Sequence, residues 1–131
     1  MTSDAGSSDM KHCMIVDDSR VIRRVAVKMV EDLGFRISEA EDGRQALAAC
    51  RTQMPDAIIL DWEMPHMDGI AFTDELRKLP DGNSVLVLMC TVKNDPADIT
   101  AALEAGVDEY IMKPFDSDIV RAKFLLLGLL E

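Results

Sequence analysis

Five polar side chains stand at the C-terminal ends of apolar runs: Asp17 and Asp18 after KHCMIV, Asp61 after AIIL, Thr91 after SVLVLMC and Lys113 after EYIM. Three carboxylates brought together repel one another, and a shifted pKa or a bound cation relieves this most cheaply. A hard divalent ion does so best. Mg²⁺ prefers oxygen ligands, keeps several waters, and combines one or two carboxylates with phosphate oxygens. An Asp beside Mg²⁺ can act as a carboxylate nucleophile and form an aspartyl-phosphate, with the metal and a lysine neutralising the transferring group. Asp61 is the better nucleophile candidate because it stands alone at its strand end, facing the pair Asp17 and Asp18, which would hold the metal. Thr91 and Lys113 are placed to contact the phosphoryl oxygens.

These side chains meet only if the elements carrying them do. The apolar runs read as buried parallel strands, and the segments between them have helical periodicity. The pattern predicts strands over 11–16, 36–40, 57–60, 84–90 and 109–112, and helices over 19–33, 43–53, 68–78, 96–105 and 116–130. Strict alternation argues an α/β fold, a parallel sheet covered on both faces. Right-handed crossovers then bring the strands' carboxyl ends to one edge, where open α/β sheets keep their sites.

The 14.5 kDa chain fits one domain. Its 14 Lys+Arg against 24 Asp+Glu give a formal net charge of −10, which opposes phosphate-dominated binding of nucleic acid. No apolar run reaches the roughly 18–20 residues of a membrane span, and the polar, acidic start is unlike a signal peptide. A cytoplasmic protein is expected, with a disordered tail over 1–10 and a single domain over 11–131. Cys13, Cys50 and Cys90 lack metal-ligand spacing and read as small core residues, while His12 and His66 have no partner at such spacing.

In the first helix Ile22, Val25, Ala26, Met29, Val30 and Leu33 form an apolar stripe, with Arg20, Arg23, Arg24 and Lys28 read as a solvated face or a surface for an acidic partner. Gly34 and Gly106 are placed to cap the first and fourth helices. The last helix carries too many apolar residues for one stripe. Either part of it is an interface or its final turn folds over the sheet edge into the core.

Taken in order, the acid pair after the first strand, DWEMPHMDG at 61–69, Thr91 after the fourth strand and Lys113-Pro114-Phe115 after the fifth resemble the receiver domain of two-component response regulators. The resemblance covers about 11 to 130. It implies a flavodoxin-like (CheY-like) five-stranded sheet of order 2-1-3-4-5 with helices on both faces. It further implies that Asp61 is the phosphoacceptor, that Asp17, Asp18, Asp61 and the backbone carbonyl of Glu63 ligate Mg²⁺, and that Thr91 and Lys113 bind the phosphoryl oxygens. Tyr110 takes the switch position, responding to Thr91, and the Lys113-Pro114 peptide is expected to be cis. The implied partners are a histidine kinase as phosphodonor, docking around the first helix, and a protein effector met by the fourth helix, fifth strand and fifth helix. The chain is then no enzyme on a separate substrate but a self-catalysing phosphoacceptor, a monomer or a phosphorylation-dependent dimer.

VDDSRVIRRVA, SEAEDG, GVDEYIMKPFDSDIV and AKFLLLGLL look most like single-domain regulators of the chemotaxis branch, whose effector is a flagellar motor switch. Two departures from the pattern stand out. Val92 replaces a small residue and could narrow access to Asp61. Lys93 replaces an acid and could pair with Glu63 across the mouth of the site. The other readings are a phosphate sink or relay intermediate without its own target and, more remotely, an Asp-nucleophile phosphatase of haloacid-dehalogenase type, for which Glu63 mimics the second acid.

Overall fold

The computed structural model describes residues 10–130. The expected tail over 1–10 falls, apart from Met10, outside the described residues. Strands and helices alternate: β1 (His12–Val16), α1 (Arg20–Glu31), β2 (Arg36–Ala40), α2 (Gly43–Thr52), β3 (Ala57–Asp61), α3 (Gly69–Leu76), β4 (Leu86–Thr91), α4 (Pro96–Ala105), β5 (Glu109–Met112) and α5 (Ser117–Leu126). All four strand pairings are parallel, and the order is β2-β1-β3-β4-β5. Register sets the site: Val16 pairs with Leu60, Asp61 with Cys90 and Thr91 with Met112, so the polar residues after each apolar run share one edge.

Alternate strand residues face opposite sides. Met14, Val16, Ile58, Leu60, Val87 and Met89 pack with Leu47 of α2, Phe72 and Leu76 of α3 and Ala102 of α4. Cys13, Ile15, Ile59, Leu88, Cys90 and Ile111 pack on the other side with Ala26 and Val30 of α1 and Val120 and Phe124 of α5, where Phe35 meets Phe124 edge to face at 5.1 Å. The three cysteines are buried free thiols, and burial pushes Cys50 up to about 11 and Cys90 up to about 12. No helix among the described residues is long and apolar enough to cross a membrane.

Side-chain caps start every helix. Ser19, Asp42, Asp68, Asp95 and Asp116 each accept a backbone N–H from the first turn. Gly34 and Gly106 adopt φ of 94° and 108°, the left-handed conformation that ends a helix at little cost only for glycine.

Two expectations need correction. The apolar stripe assigned to α1 is rolled: Ile22 and Val25 are exposed, and Arg23 is buried with Ala26 and Val30. A guanidinium can turn inward when its stem packs and its donors find acceptors, and Arg23 finds both Asp17 O and Glu39 Oε1. The last helix stops at Leu126 rather than 130, because Gly128, at φ 78°, turns the chain. Leu129 N–H donates to Phe124 O in that turn, and Leu129 is buried while Leu125 and Leu126 stay exposed.

Candidate phosphoacceptor site

Asp61 ends β3, the central strand, and is only 6 % exposed. Asp17 and Asp18 follow β1, and Asp17, Asp18 and Asp61 each offer a carboxylate oxygen within 4.8 Å of the others. Lys113, after β5, places Nζ 2.8 Å from Asp61 Oδ1 and 3.5 Å from Asp17 Oδ2. Burial pushes the Asp61 carboxyl above its ordinary value against the downward pull of the Lys113 hydrogen bond, and like charge on Asp17 and Asp18 adds to the rise. Burial draws the Lys113 ammonium down, but its bond to Asp61 and the fields of Asp17 and Asp61 outweigh this and leave it raised.

Local structure holds each group in place. Asp17 Oδ1 accepts the Ser19 N–H at 2.8 Å, so this acid both joins the cluster and shapes the turn into α1. Gly69 N–H donates to Trp62 O, and a Cβ on Gly69 would stand 3.1 Å from Asp61 O and 2.7 Å from Met89 Sδ. A larger residue there would force the end of Met89 aside and crowd the Asp61 carbonyl, so glycine lets α3 start close beneath the acid. Thr91 is buried, its Oγ1 accepts the Lys93 N–H, and its carbonyl accepts the Lys113 N–H. That leaves the Thr91 hydroxyl hydrogen available to a new acceptor.

The Lys113-Pro114 bond is cis. Glu63 is exposed in the loop after β3. The expected pairing of Glu63 with Lys93 is absent: Lys93 Nζ lies 5.4 Å from the ring centroid of Trp62, an aromatic face that attracts a cation where no acid is in reach. Val92 is exposed and lines, with Val21, Ile22, Val25, Pro114 and Phe115, an open apolar groove of about 410 Å³ beside Lys113. The Tyr110 hydroxyl is buried without a hydrogen-bond partner, and burial, with the charge of Asp98, raises its pKa.

Sequence reasoning missed two bracing residues, Arg23 at this edge and Arg77 at the opposite ends of the strands, before β4 and β5 begin. Arg23 shares the 3,4 spacing of Ala26 and Val30, but its type reads as polar and its partners Asp17 O and Glu39 are met only in the fold. Arg77 carried no signal: its guanidinium reaches carbonyls of Gly82, Val85 and Gly106 and the Asp108 carboxylate, tying the ends of α3 and α4 to β5.

The oxygen donors of Asp17, Asp18 and Asp61, all hard and anionic, fit a divalent cation such as Mg²⁺. Among the described residues the nucleophile candidate ends the third strand and not the first, where the haloacid-dehalogenase pattern would put it.

Comparison with known proteins agrees with the geometry. Residues 13–124 match the family model of the response regulator receiver domain. The chain is 34% identical over 116 residues to the transcriptional regulatory protein CseB of Streptomyces coelicolor, covering 88% of this chain and 48% of that protein. It is 37% identical over 114 residues to the KDP operon transcriptional regulatory protein KdpE of Escherichia coli, covering 87% and 49%. The chain thus spans about half the length of the curated relatives it matches. Among solved structures, the chemotaxis response regulator CheY4 of Vibrio cholerae superposes with a TM-score of 0.86 at 29% identity, over 90% of this chain and 98% of that one. The receiver domain of the sensor histidine kinase PA1611 from Pseudomonas aeruginosa, described with a magnesium ion coordinated in its active-site cleft, gives 0.81 at 30% identity, over 91% and 98%. A strand order of 2-1-3-4-5, an acid cluster at the strand ends and a family match over most of its length place this chain in the response regulator receiver domain family.

Proposed function

We propose that the chain is a phosphorylation switch that takes a phosphoryl group from a histidine kinase onto Asp61 and reports it by changing a protein-binding surface. The observation that carries this reading is the convergence of Asp17, Asp18 and Asp61 with Lys113 at one sheet edge.

A carboxylate oxygen of Asp61 attacks phosphorus in line, the bond from phosphorus to the donor's imidazole nitrogen breaks, and the freed imidazole takes a proton. The aspartyl-phosphate later returns to carboxylate and inorganic phosphate by attack of water. Asp17, Asp18, Asp61 and the Glu63 carbonyl would hold Mg²⁺, which when bound neutralises charge on the phosphoryl oxygens. Lys113 leaves its contact with the free carboxylate to meet a phosphoryl oxygen, and the Thr91 hydroxyl donates to another. Drawing Thr91 and Lys113 to a new anion biases the arrangement of α4, β5 and α5, with Tyr110 of β5 responding to the move of Thr91. The protein is reset by hydrolysis and is not an enzyme acting on a separate substrate.

The effector is a protein docked on α4, β5 and α5. A chemotaxis-type target rests on the sequence resemblance of VDDSRVIRRVA and AKFLLLGLL, whereas the curated relatives are transcriptional regulators. A partner retained only by the phosphorylated chain would support docking; onward transfer to a second histidine protein without such a partner would support a relay or sink. Val92 and Lys93 at the rim slow small phosphodonors and water, so Val92→Ala should speed labelling by a small donor.

The test is phosphotransfer from a phosphorylated histidine kinase in Mg²⁺. Label on the wild type and none on Asp61→Asn supports the reading; equal label on both removes it.

A further inference from the structure

Arg23 is 8 % exposed, and its two arms have unlike partners. Nε donates to Glu39 Oε1 on β2 at 2.9 Å, while the other arm donates to the main-chain carbonyl of Asp17 at 2.7 Å. The Asp17 N–H donates to Ala40 O, and its side chain accepts the Ser19 N–H. The backbone of this acid is therefore held from β2 on one side and from α1 on the other.

We propose that Arg23, aligned by Glu39, is a positioning residue that fixes the main chain of Asp17 and Asp18 so that their carboxylates face Asp61 in the geometry a divalent cation needs. The inference rests on the reading of these acids as the Mg²⁺ site. Groups that hold metal ligands in place raise affinity although they never touch the ion. Charge argues the opposite way. A guanidinium this close to the acids repels a divalent cation, so if only its field mattered, losing it would tighten binding. Positioning and field thus predict opposite signs for one substitution.

The experiment is a Mg²⁺ titration of the full chain, followed by calorimetry and by fluorescence of Trp62, the single tryptophan and the neighbour of Asp61 in sequence. Arg23→Gln should weaken Mg²⁺ binding by about tenfold, the scale found when partners of metal ligands are lost. Arg23→Lys keeps the charge but loses the planar fork, and should weaken binding in the same direction. Unchanged or tighter binding by both variants overturns the inference, and a lowered melting temperature with unchanged affinity does the same by leaving Arg23 a purely structural role. If neither variant folds, Glu39→Gln decides, since it releases the guanidinium from its guide: weaker binding supports the inference and equal binding overturns it. A wild type that binds no Mg²⁺ would instead remove the reading of the acid cluster itself.

Discussion

The ammonium of Lys113 lies 2.8 Å from Asp61 Oδ1. This lysine reaches Asp61 and Asp17 but makes no pair with Asp18, although oxygens of the three acids lie within 4.8 Å of one another, so without a cation the cluster carries excess negative charge. Function and stability are opposed here, because the repulsion that makes the site ready for a cation weakens the fold without one.

Asp18 is the exposed member of the three. Asp18→Asn should raise metal-free stability by about 1 kcal/mol, the aqueous end of the Coulomb range near 4 Å. It should also shrink the rise in melting temperature that Mg²⁺ gives the wild type. Melting curves with and without Mg²⁺ check both effects, and a variant less stable than the wild type without metal would contradict the repulsion argument.

Arg77 braces the corner from which α4 and β5 diverge. Arg77→Met strands carbonyls of Gly82, Val85 and Gly106 and leaves Asp108 without its cation, so a loss of about 3 kcal/mol is expected. Asp108→Asn should cost far less, because the Val87 N–H can still donate to the amide oxygen. Denaturant unfolding of the two variants tests that ranking.

At the opposite edge of the sheet, His12 Nε2 lies 2.8 Å from Ser38 Oγ while Nδ1 is buried without a partner. Burial lowers its pKa from 6.5, Arg36 adds to the fall, and Asp56 opposes it. A lowered basic group means that the unfolded chain binds a proton the folded one refuses, so stability from this source falls as pH drops below 6.5. The slope cannot exceed about 1.4 kcal/mol per pH unit for one proton. Stability of the wild type and His12→Asn should diverge between neutral pH and mild acid; parallel curves would remove the assignment.

The Tyr110 hydroxyl is a buried group with nothing to bond. Tyr110→Phe should leave the unphosphorylated protein as stable as the wild type or up to about 1 kcal/mol more so. Thermal melting decides; a clear loss of stability would mean that the hydroxyl has a partner in solution.

Much of this was legible in the chain because β1, β3 and β4 are largely apolar runs, with Asp17 just after β1 and Asp61 and Thr91 ending β3 and β4. Asp61, Thr91 and Lys113 stand where such runs place them, and the pairing of Val16 with Leu60 brings the acid pair alongside. The roll of α1 was not legible. Arg23 counts as polar by type, yet its stem packs and its head is satisfied by Asp17 O and Glu39, partners that exist only once β2 is paired. The Glu63 and Lys93 pairing failed for a similar reason, because charge alone cannot reveal that a tryptophan face lies nearer to the ammonium. Leu129 is buried, as the reading that the final turn folds over the sheet edge expected; what periodicity did not encode is that the helix stops at Leu126, before the turn at Gly128.

The most direct measurement is to trap the phosphorylated form. Borohydride reduces an acyl phosphate to an alcohol, so peptide mapping after phosphotransfer in Mg²⁺ and reduction should find homoserine in place of Asp61 and unmodified Asp17 and Asp18. Reduction product at either of those acids, or at a residue away from the strand ends, would contradict the assignment of Asp61 as the phosphoacceptor.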